Sequence, residues 1–507
     1  MGKINRILVA NRGEIAVRII RACRDLDIET VAVYSDVDRE SLHVRYATSA
    51  YRLGPAPAAE SYLRIDRLLE VADEAGADAV HPGYGFLAEN GDFARAVIDA
   101  GMIFIGPRPD VMESVGDKNR ARQIAEAAGA PTVPGSPEPV HDPALASEIA
   151  AQLGFPVMLK AVAGGGGKGM RLVHNPEDIE SSLRSASSEA ESAFGDGRVY
   201  IEKAILNPRH VEIQILCDEH GNRIHLGERE CSIQRRHQKV IEESPSPVLS
   251  DDLRQRMGDA ALAIAAEAEY SNAGTVEFLL DANHVFYFIE VNARLQVEHP
   301  VTEMVTGIDL VAAQIAVAQG EPLEWSQEDV ELTGAAIECR LYAEDPAQGF
   351  APSPGLIEGL RAPGGPGIRD DSALYEGYEV PIYYDPMISK LVAWGPDRAT
   401  ALARMRRALL EYKVVGIATT IPLFQRILED PAFAAGDFDT GYLDELLKDG
   451  ALGPAHDRSD ETADVASIAA ALHTFLREES RAFQIGSGGP SAWKVAGRNA
   501  SLRNFAK

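Results

Sequence analysis

The sequence predicts a multi-domain protein of mixed α/β and α+β class, and three observations carry that expectation. Residues 6–113 alternate strand-like and helix-sized segments, the pattern of a parallel, doubly wound sheet. Residues 164–169 are a glycine loop set between two strand-like runs. From about residue 155 the pattern turns to short strands broken by glycine and proline, which suits antiparallel pairing. At 507 residues the chain exceeds one ordinary core, so about two to four domains are expected.

Arg6-Ile-Leu-Val-Ala10 reads as a short buried strand, and residues 13–26 follow with Ile15, Ile19, Ile20 and Cys23 at helical spacing. Further strands are expected at residues 30–34, 77–80 and 102–105. The opening is Rossmann-like, but its first turn, Ala10-Asn-Arg-Gly-Glu14, lacks G-x-G-x-x-G and does not predict a dinucleotide. His81-Pro-Gly-Tyr-Gly-Phe-Leu-Ala-Glu-Asn90 follows a strand at the end where open sheets place ligands, although an ordinary structured loop is an equal alternative. Four prolines between Pro131 and Pro139 mark a boundary or hinge. Residues 156–160 and 170–173 read as strands, residues 254–270 as a helix, and residues 351–355 and 362–367 as breaks inside a small β-rich region. Residues 448–464 read as an acidic linker before a short helix and a tail.

Composition limits the partners. Lys and Arg number 49 against 77 Asp and Glu, a net charge of −28, which argues against nucleic acid because phosphate binding needs a basic field. No run of 18 apolar residues exists, so no membrane span is expected. The start offers too few apolar residues before Asn11-Arg12 for a signal peptide. Cys23, Cys217, Cys231 and Cys339 are scattered and read as reduced structural thiols of a cytoplasmic protein.

Three motifs carry chemistry. In Gly164-Gly-Gly-Gly-Lys-Gly169, consecutive glycines let backbone N–H groups close over phosphate oxygens, with Lys160 and Lys168 nearby. The loop is not a Walker A motif, since Val162 and Gly169 stand where its first Gly and its Ser/Thr belong. From Ile289 to Val297 apolar and polar residues alternate, so one strand would line Glu290, Asn292, Arg294, Gln296 and Glu298 along one face. If residues 282–285 form a four-residue hairpin loop, Glu277 faces Glu290 across the pair. Like charges so placed repel unless a cation lies between them; hard oxygen ligands suit Mg²⁺ or Mn²⁺ with a nucleotide's phosphates. Glu228-Arg-Glu-Cys-Ser-Ile-Gln-Arg-Arg-His-Gln-Lys239 places Gln234, His237 and Lys239 where they can reach a phosphate or bicarbonate. Glu338 and Arg340 share a face of another alternating run, where a structural ion pair is the plain reading.

Taken together, Ala10 to Glu14, His81 to Asn90, Gly164 to Met170, Ser232 to Lys239, Glu290 to Glu298 and Tyr384-Asp-Pro-Met387 resemble the biotin carboxylase component of biotin-dependent carboxylases, a branch of the ATP-grasp ligases. The resemblance runs from Arg6 to about Leu443. It implies an N-terminal Rossmann-like domain (1–114), an ATP-grasp domain (115–332) with a mobile glycine-rich lid (about 132–204), a β-rich C-terminal domain (333–445) and a tail (446–507).

It also implies roles. Lys118, Lys160, Gly165, Gly166, Gly167, His210, Gln234 and His237 would bind ATP, with Glu202, Lys203 and Ile205 in the segment that holds the adenine. Glu277, Glu290 and Asn292 would hold Mg²⁺ or Mn²⁺, two ions in the family. Lys239, Arg294, Gln296 and the Val297 backbone would bind bicarbonate, Glu298 would act as base, and Arg340, Tyr84 and Asp385 would meet biotin. The lid carries Lys168 where some members have Arg, and Ile205 stands where Leu is frequent. None of the nine methionines is followed by Lys, so the Met-Lys-Met biotin attachment hairpin is missing. The expected partners are therefore a separate biotin carboxyl carrier protein, a carboxyltransferase subunit, and, in a homodimer, a second copy of the chain. Another ATP-grasp carboxylate–amine ligase, or a non-catalytic nucleotide-binding protein, is the alternative; the final acceptor is left open.

Overall fold

The computed structural model describes residues 3–162 and 170–448, together with residues 468 and 472. The chain divides into two units, Met1–Leu452 and Gly453–Lys507, and of the second only those two residues are described. The glycines of the expected lid, Gly165, Gly166 and Gly167 among them, and nearly all of the expected tail lie outside the described residues.

Strands β1 (Arg6–Val9), β2 (Glu29–Ser35), β3 (Ser49–Gly54), β4 (Ala79–His81) and β5 (Ile103–Phe104) form a parallel sheet in the order β3-β2-β1-β4-β5. The helix Gly13–Asp25 buries Ile15, Ile19, Ile20 and Cys23, the face its periodicity predicts. Strand order reverses between β1 and β4, so the loops that follow them open the crevice where such sheets take ligands. Asn11 ties these loops together by donating to the carbonyls of Pro82 and Tyr84, both at 2.7 Å. At Gly83, with φ +64°, a Cβ would lie 3.1 Å from that Asn11 amide, so the close approach requires glycine.

A second layer holds β6 (Val157–Ala161), β7 (Met170–Val173) and β8 (Val199–Lys203) as an antiparallel sheet ordered β7-β6-β8. Ala146, Ala150, Ile179 and Leu183 from two helices cover its apolar face. Lys160 pairs with Met170 across β6 and β7, so the glycine loop joins strand to strand, as expected.

The largest sheet has eight strands: β9 (Arg209–Cys217), β10 (Arg223–Arg235), β11 (Gln238–Ser244), β12 (Asn272–Leu280), β13 (Phe286–Asn292), β14 (Ala335–Tyr342), Ile368–Ser372 and Met387–Gly395. Their order is β13-β12-β9-β10-β11-β14, then Met387–Gly395 and Ile368–Ser372. Pairing of β11 with β14, Glu242 opposite Glu338, carries one sheet across the 332/333 boundary. The helix Tyr442–Lys448 likewise straddles position 445. All four cysteines are buried and free. Among the described residues no single helix is long and apolar enough to cross a membrane.

Two local expectations need correction. The β12–β13 loop has five residues, not four: Leu280 pairs with Phe286, and Asp281 caps the turn by accepting from the N–H groups of Asn283 and Val285. A one-residue bulge at Ile289 then restores the register, so Glu277 does face Glu290. Strand β13 ends at Asn292, although the alternation runs on to Val297. Residues 293–298 turn instead into the helix His299–Thr306, whose early Pro300 suits a helix start but not a paired strand.

Candidate active site

A row of carboxylates forms the floor of the site. Glu212 on β9 pairs with Glu277 on β12, which pairs in turn with Glu290 on β13. Three acids side by side on adjacent strands repel one another, and a ring of cations offsets that repulsion. Lys239 lies against Glu212, Glu277 (2.9 Å) and Glu298 (2.7 Å). Arg229, fully buried, binds Glu212 and donates to Gln214, Thr302 and Thr275. His210 Nε2 stands 3.0 Å from Glu277, and its Nδ1 meets the Gln234 amide at 3.1 Å.

The charges of this row are set by position. Burial resists ionisation of Glu277, but Lys239 and His210 outweigh it and hold the carboxyl well below its usual range. Glu290 moves the other way: burial, then the charge of Glu277, raise it, with Lys118 opposing. Glu298 is buried against Lys239, Arg340 and Arg229, which overcome desolvation and keep it ionised far below the ordinary value. His210, Glu212 and Glu277 bring ligand atoms within 4.8 Å of one another.

The turn after β13 places the remaining groups. Arg294 donates to Asn292 and Gln296 at 3.0 and 2.9 Å and to Glu89 at 3.0 Å. Arg340 on β14 reaches Glu298 at 2.8 Å and Glu242 at 2.6 Å. The ion pair expected between Glu338 and Arg340 is not formed, because Arg340 leans toward the helix start at Glu298. Beneath the turn, fully buried Lys390 donates to the Val297 carbonyl at 2.9 Å, approaches Glu14 at 3.4 Å and lies 5.5 Å from the Tyr84 ring.

Lys239, Arg294, Gln296, Glu298, Arg340, Glu277, Glu290, Asn292, His210 and Gln234 therefore converge, and the charge of Lys118 acts on Glu290. On the three-stranded sheet Lys160 forms an ion pair with Glu202. Lys203 donates its ammonium to the Gly154 carbonyl at 2.7 Å. Ile205 is half-buried beyond β8. His237 sits exposed at the β10–β11 turn with φ +66°, and exposed Asp385 accepts the Met387 N–H at 2.8 Å. Neither joins the cluster by a hydrogen bond among the described residues.

Sequence reasoning missed Glu212, Arg229, Glu89, Glu242 and Lys390. Glu89 and Arg229 lie inside stretches singled out above but were given no role there; Glu212 shares the strand face of His210 and Gln214, and Lys390 is a lone cation in the apolar run Met387–Gly395.

Three family profiles match the chain: "Biotin carboxylase, N-terminal domain" over residues 3–112, "Carbamoyl-phosphate synthase L chain, ATP binding domain" over 117–326, and "Biotin carboxylase C-terminal domain" over 338–445. The chain is 53% identical over 444 residues to a pyruvate carboxylase subunit of Methanothermobacter thermautotrophicus, covering 88% of this chain and 90% of that one. It is 53% identical over 446 residues to a biotin carboxylase of Nostoc sp., covering 88% and 100%. A solved structure, the biotin carboxylase domain dimer of Hydrogenobacter thermophilus 2-oxoglutarate carboxylase with magnesium ADP, ADP and bicarbonate, matches at a TM-score of 0.83. Identity there is 48%, over 90% of this chain and 100% of that one. Family profiles and near-full-length relatives agree with the site's geometry: the chain belongs to the biotin carboxylase family of ATP-grasp ligases.

Proposed function

We propose that this ligase, which carboxylates biotin using ATP and bicarbonate, acts on biotin held by a separate carrier protein in the first half-reaction of an acyl-CoA carboxylase. The observation that carries the chemistry is Glu298, an ionised carboxylate wedged between Lys239 and Arg340. Bicarbonate entering there would share those cations, raise the proton affinity of Glu298 and give up its proton to it. Lys239, Arg294, Gln296 and the Val297 backbone would hold the resulting anion for attack on the γ-phosphate of ATP, where the new P–O bond forms as the bond to ADP breaks, giving carboxyphosphate and ADP.

Breakdown of carboxyphosphate to CO₂ and phosphate leaves the phosphate to take the ureido proton of biotin, and Arg340 would stabilise the enolate that attacks CO₂. Preorganised cations facing developing negative charge are the largest usual catalytic contribution. Glu277, Glu290 and Asn292 would hold Mg²⁺ or Mn²⁺; their hard oxygen donors and the paired carboxylates suit such an ion. When bound, it would neutralise charge on the nucleotide's phosphates. Lys118, Lys160, Glu202, Lys203, Ile205, His210, Gln234, His237 and the lid glycines Gly165, Gly166 and Gly167 would take the nucleotide, and Tyr84 and Asp385 would flank biotin.

The acceptor we favour is acetyl-CoA or propionyl-CoA, received from a carboxyltransferase subunit, with the chain working as a homodimer in the cytoplasm. The 53% identity to a pyruvate carboxylase component supports a second reading, a 2-oxo acid acceptor. The test is carboxybiotin formation by the purified chain on free biotin and on a biotinylated carrier domain. Carrier contacts supply orientation that free biotin lacks, so the carrier should react much faster. Equal rates, or biotin covalently attached to this chain, would remove the separate-carrier reading. Adding carboxyltransferase with acetyl-CoA, propionyl-CoA or pyruvate then identifies the acceptor.

A further inference from the structure

Behind the site a second pair of acids is buried. Glu242 on β11 and Glu338 on β14 are directly opposite in the sheet, and both are fully buried. Glu242 touches Arg340 at 2.6 Å, on the same guanidinium nitrogen that meets Glu298 at 2.8 Å. Neither acid has an oxygen in a hydrogen bond of good geometry among the described residues, so Glu242 differs from Glu338 in its ion pair with Arg340 alone. The charged groups acting on this pair are Arg340 on β14, Glu298 at the start of the helix His299–Thr306, Lys239 on β11 and Lys390 on the strand Met387–Gly395. Two apposed carboxylates out of water cannot both stay ionised at low cost.

We propose that Glu338 stands neutral and that Glu242 is a positioning residue, a second anion that holds Arg340 in place while Glu298 is protonated. The inference rests on the assignment of Glu298 as base made above. In the resting arrangement Arg340 is shared by two carboxylates. When the bicarbonate O–H proton passes to Glu298, that carboxyl loses its charge and its grip on the guanidinium. Glu242 keeps its charge, so Arg340 retains one buried counter-ion and stays aimed at the reacting groups. Without Glu242, Arg340 would be released at the step when the biotin enolate needs it. Burial raises both acids, Glu338 well above the usual carboxyl range and Glu242 only to about 7, where Arg340 opposes it, which accords with Glu338 as the neutral member of the pair.

The experiment compares full-length wild type with Glu242→Gln, Glu242→Asp, Glu338→Gln and, as a control, Glu298→Gln. Carboxybiotin formation is measured across MgATP concentrations, with thermal unfolding to confirm folding. Gln copies the shape of Glu242 and Asp copies its charge. We expect Glu242→Gln to lower kcat by about 10- to 100-fold, the scale of a misplaced catalytic group, with KM for MgATP within about threefold. Glu242→Asp should be the more active of the two. Glu338→Gln, which replaces a neutral acid by a neutral amide outside the site, should stay near wild type.

Infrared difference spectra of wild type against Glu338→Gln should show a protonated-carboxyl band lost in the variant. This reading does not depend on turnover and serves even if a Glu242 variant fails to fold. The proposal is overturned if Glu242→Gln matches or exceeds Glu242→Asp, or if no protonated-carboxyl band is lost. An active Glu298→Gln would instead remove the assignment of the base.

Discussion

The parallel N-terminal sheet and the eight-stranded antiparallel sheet are both well buried, yet they bury different things. Around β1 the core is Ile7, Leu8, Val9, Val31 and Val33, with apolar residues on both faces of the strands. Parallel sheets covered by helices normally look like this. Across β9 to β14 the buried set includes Glu212, Arg229, Glu242, Glu338 and Arg340. The first sheet is packed chiefly by apolar side chains, alongside buried Thr30, Ser35 and His81, so a core residue such as Leu8 can be exchanged for another of similar volume. The second depends on each charge having its partner, because removing one partner leaves a buried charge uncompensated. One region is stable in a generic way, while the other is specified group by group for chemistry.

Lys239 tests that contrast most severely. Lys239→Gln leaves Glu212, Glu277 and Glu298 without their shared ammonium. We expect carboxybiotin formation to fall by at least ~10²–10³-fold and stability in denaturant titrations to fall by about 3–5 kcal/mol. A folded, active variant would mean that these acids do not need a common cation. Glu290→Gln is the gentler counterpart. Mg²⁺-dependent ATP turnover should drop ~10²-fold, while the unfolding midpoint holds or rises, since one of two apposed acids loses its charge. Near-normal turnover at limiting Mg²⁺ would remove Glu290 from the metal site.

The opposite outcome is expected in the apolar sheet. Leu8→Ala should cost about 2–5 kcal/mol through the cavity it leaves, yet the folded fraction should turn over within about threefold of wild type, for no reacting group moves. A matching loss of kcat would show that the parallel sheet shapes the chemistry directly.

Acid sharpens the comparison last. Burial lowers His43 to about 4 and His81 to about 3, so both are neutral in the fold. As pH falls from about 6.5, the ordinary histidine value, the unfolded chain takes up these protons while the native one refuses them. Stability is therefore highest above that pH and declines toward pH 4, by up to about 3 kcal/mol for His43. The check is denaturant unfolding across that window, where His43→Gln should flatten the slope whatever it does to absolute stability. An unchanged slope would remove His43 as its source.

What the sequence revealed was what lies close along the chain. The periodicity of Ile15, Ile19 and Ile20 foretold the first helix, and the Glu277–Glu290 pair followed from a hairpin within one short segment. The end of β13 was not legible, because residues 293–298 keep the parity of a strand while turning. Their polar side chains still point inward, so the pattern persists where the backbone has changed. The pairing of Glu242 with Glu338 joins strands nearly a hundred positions apart, and no local pattern announces it. Glu89 was overlooked for the same reason: its partner Arg294 is 205 residues away.

The bulge at Ile289 and the five-residue loop before it are two separate deviations. Deleting Ile289 would close the bulge and still leave Glu290 opposite Glu277, because Phe278 and Phe288 pair just before it. The three pairs from Leu280–Phe286 to Phe278–Phe288 therefore fix the register of the glutamates, and the loop and the bulge can each change length while those pairs hold. Among natural variants of this chain, gaps at the hairpin tip and at the bulge should then come and go independently of each other.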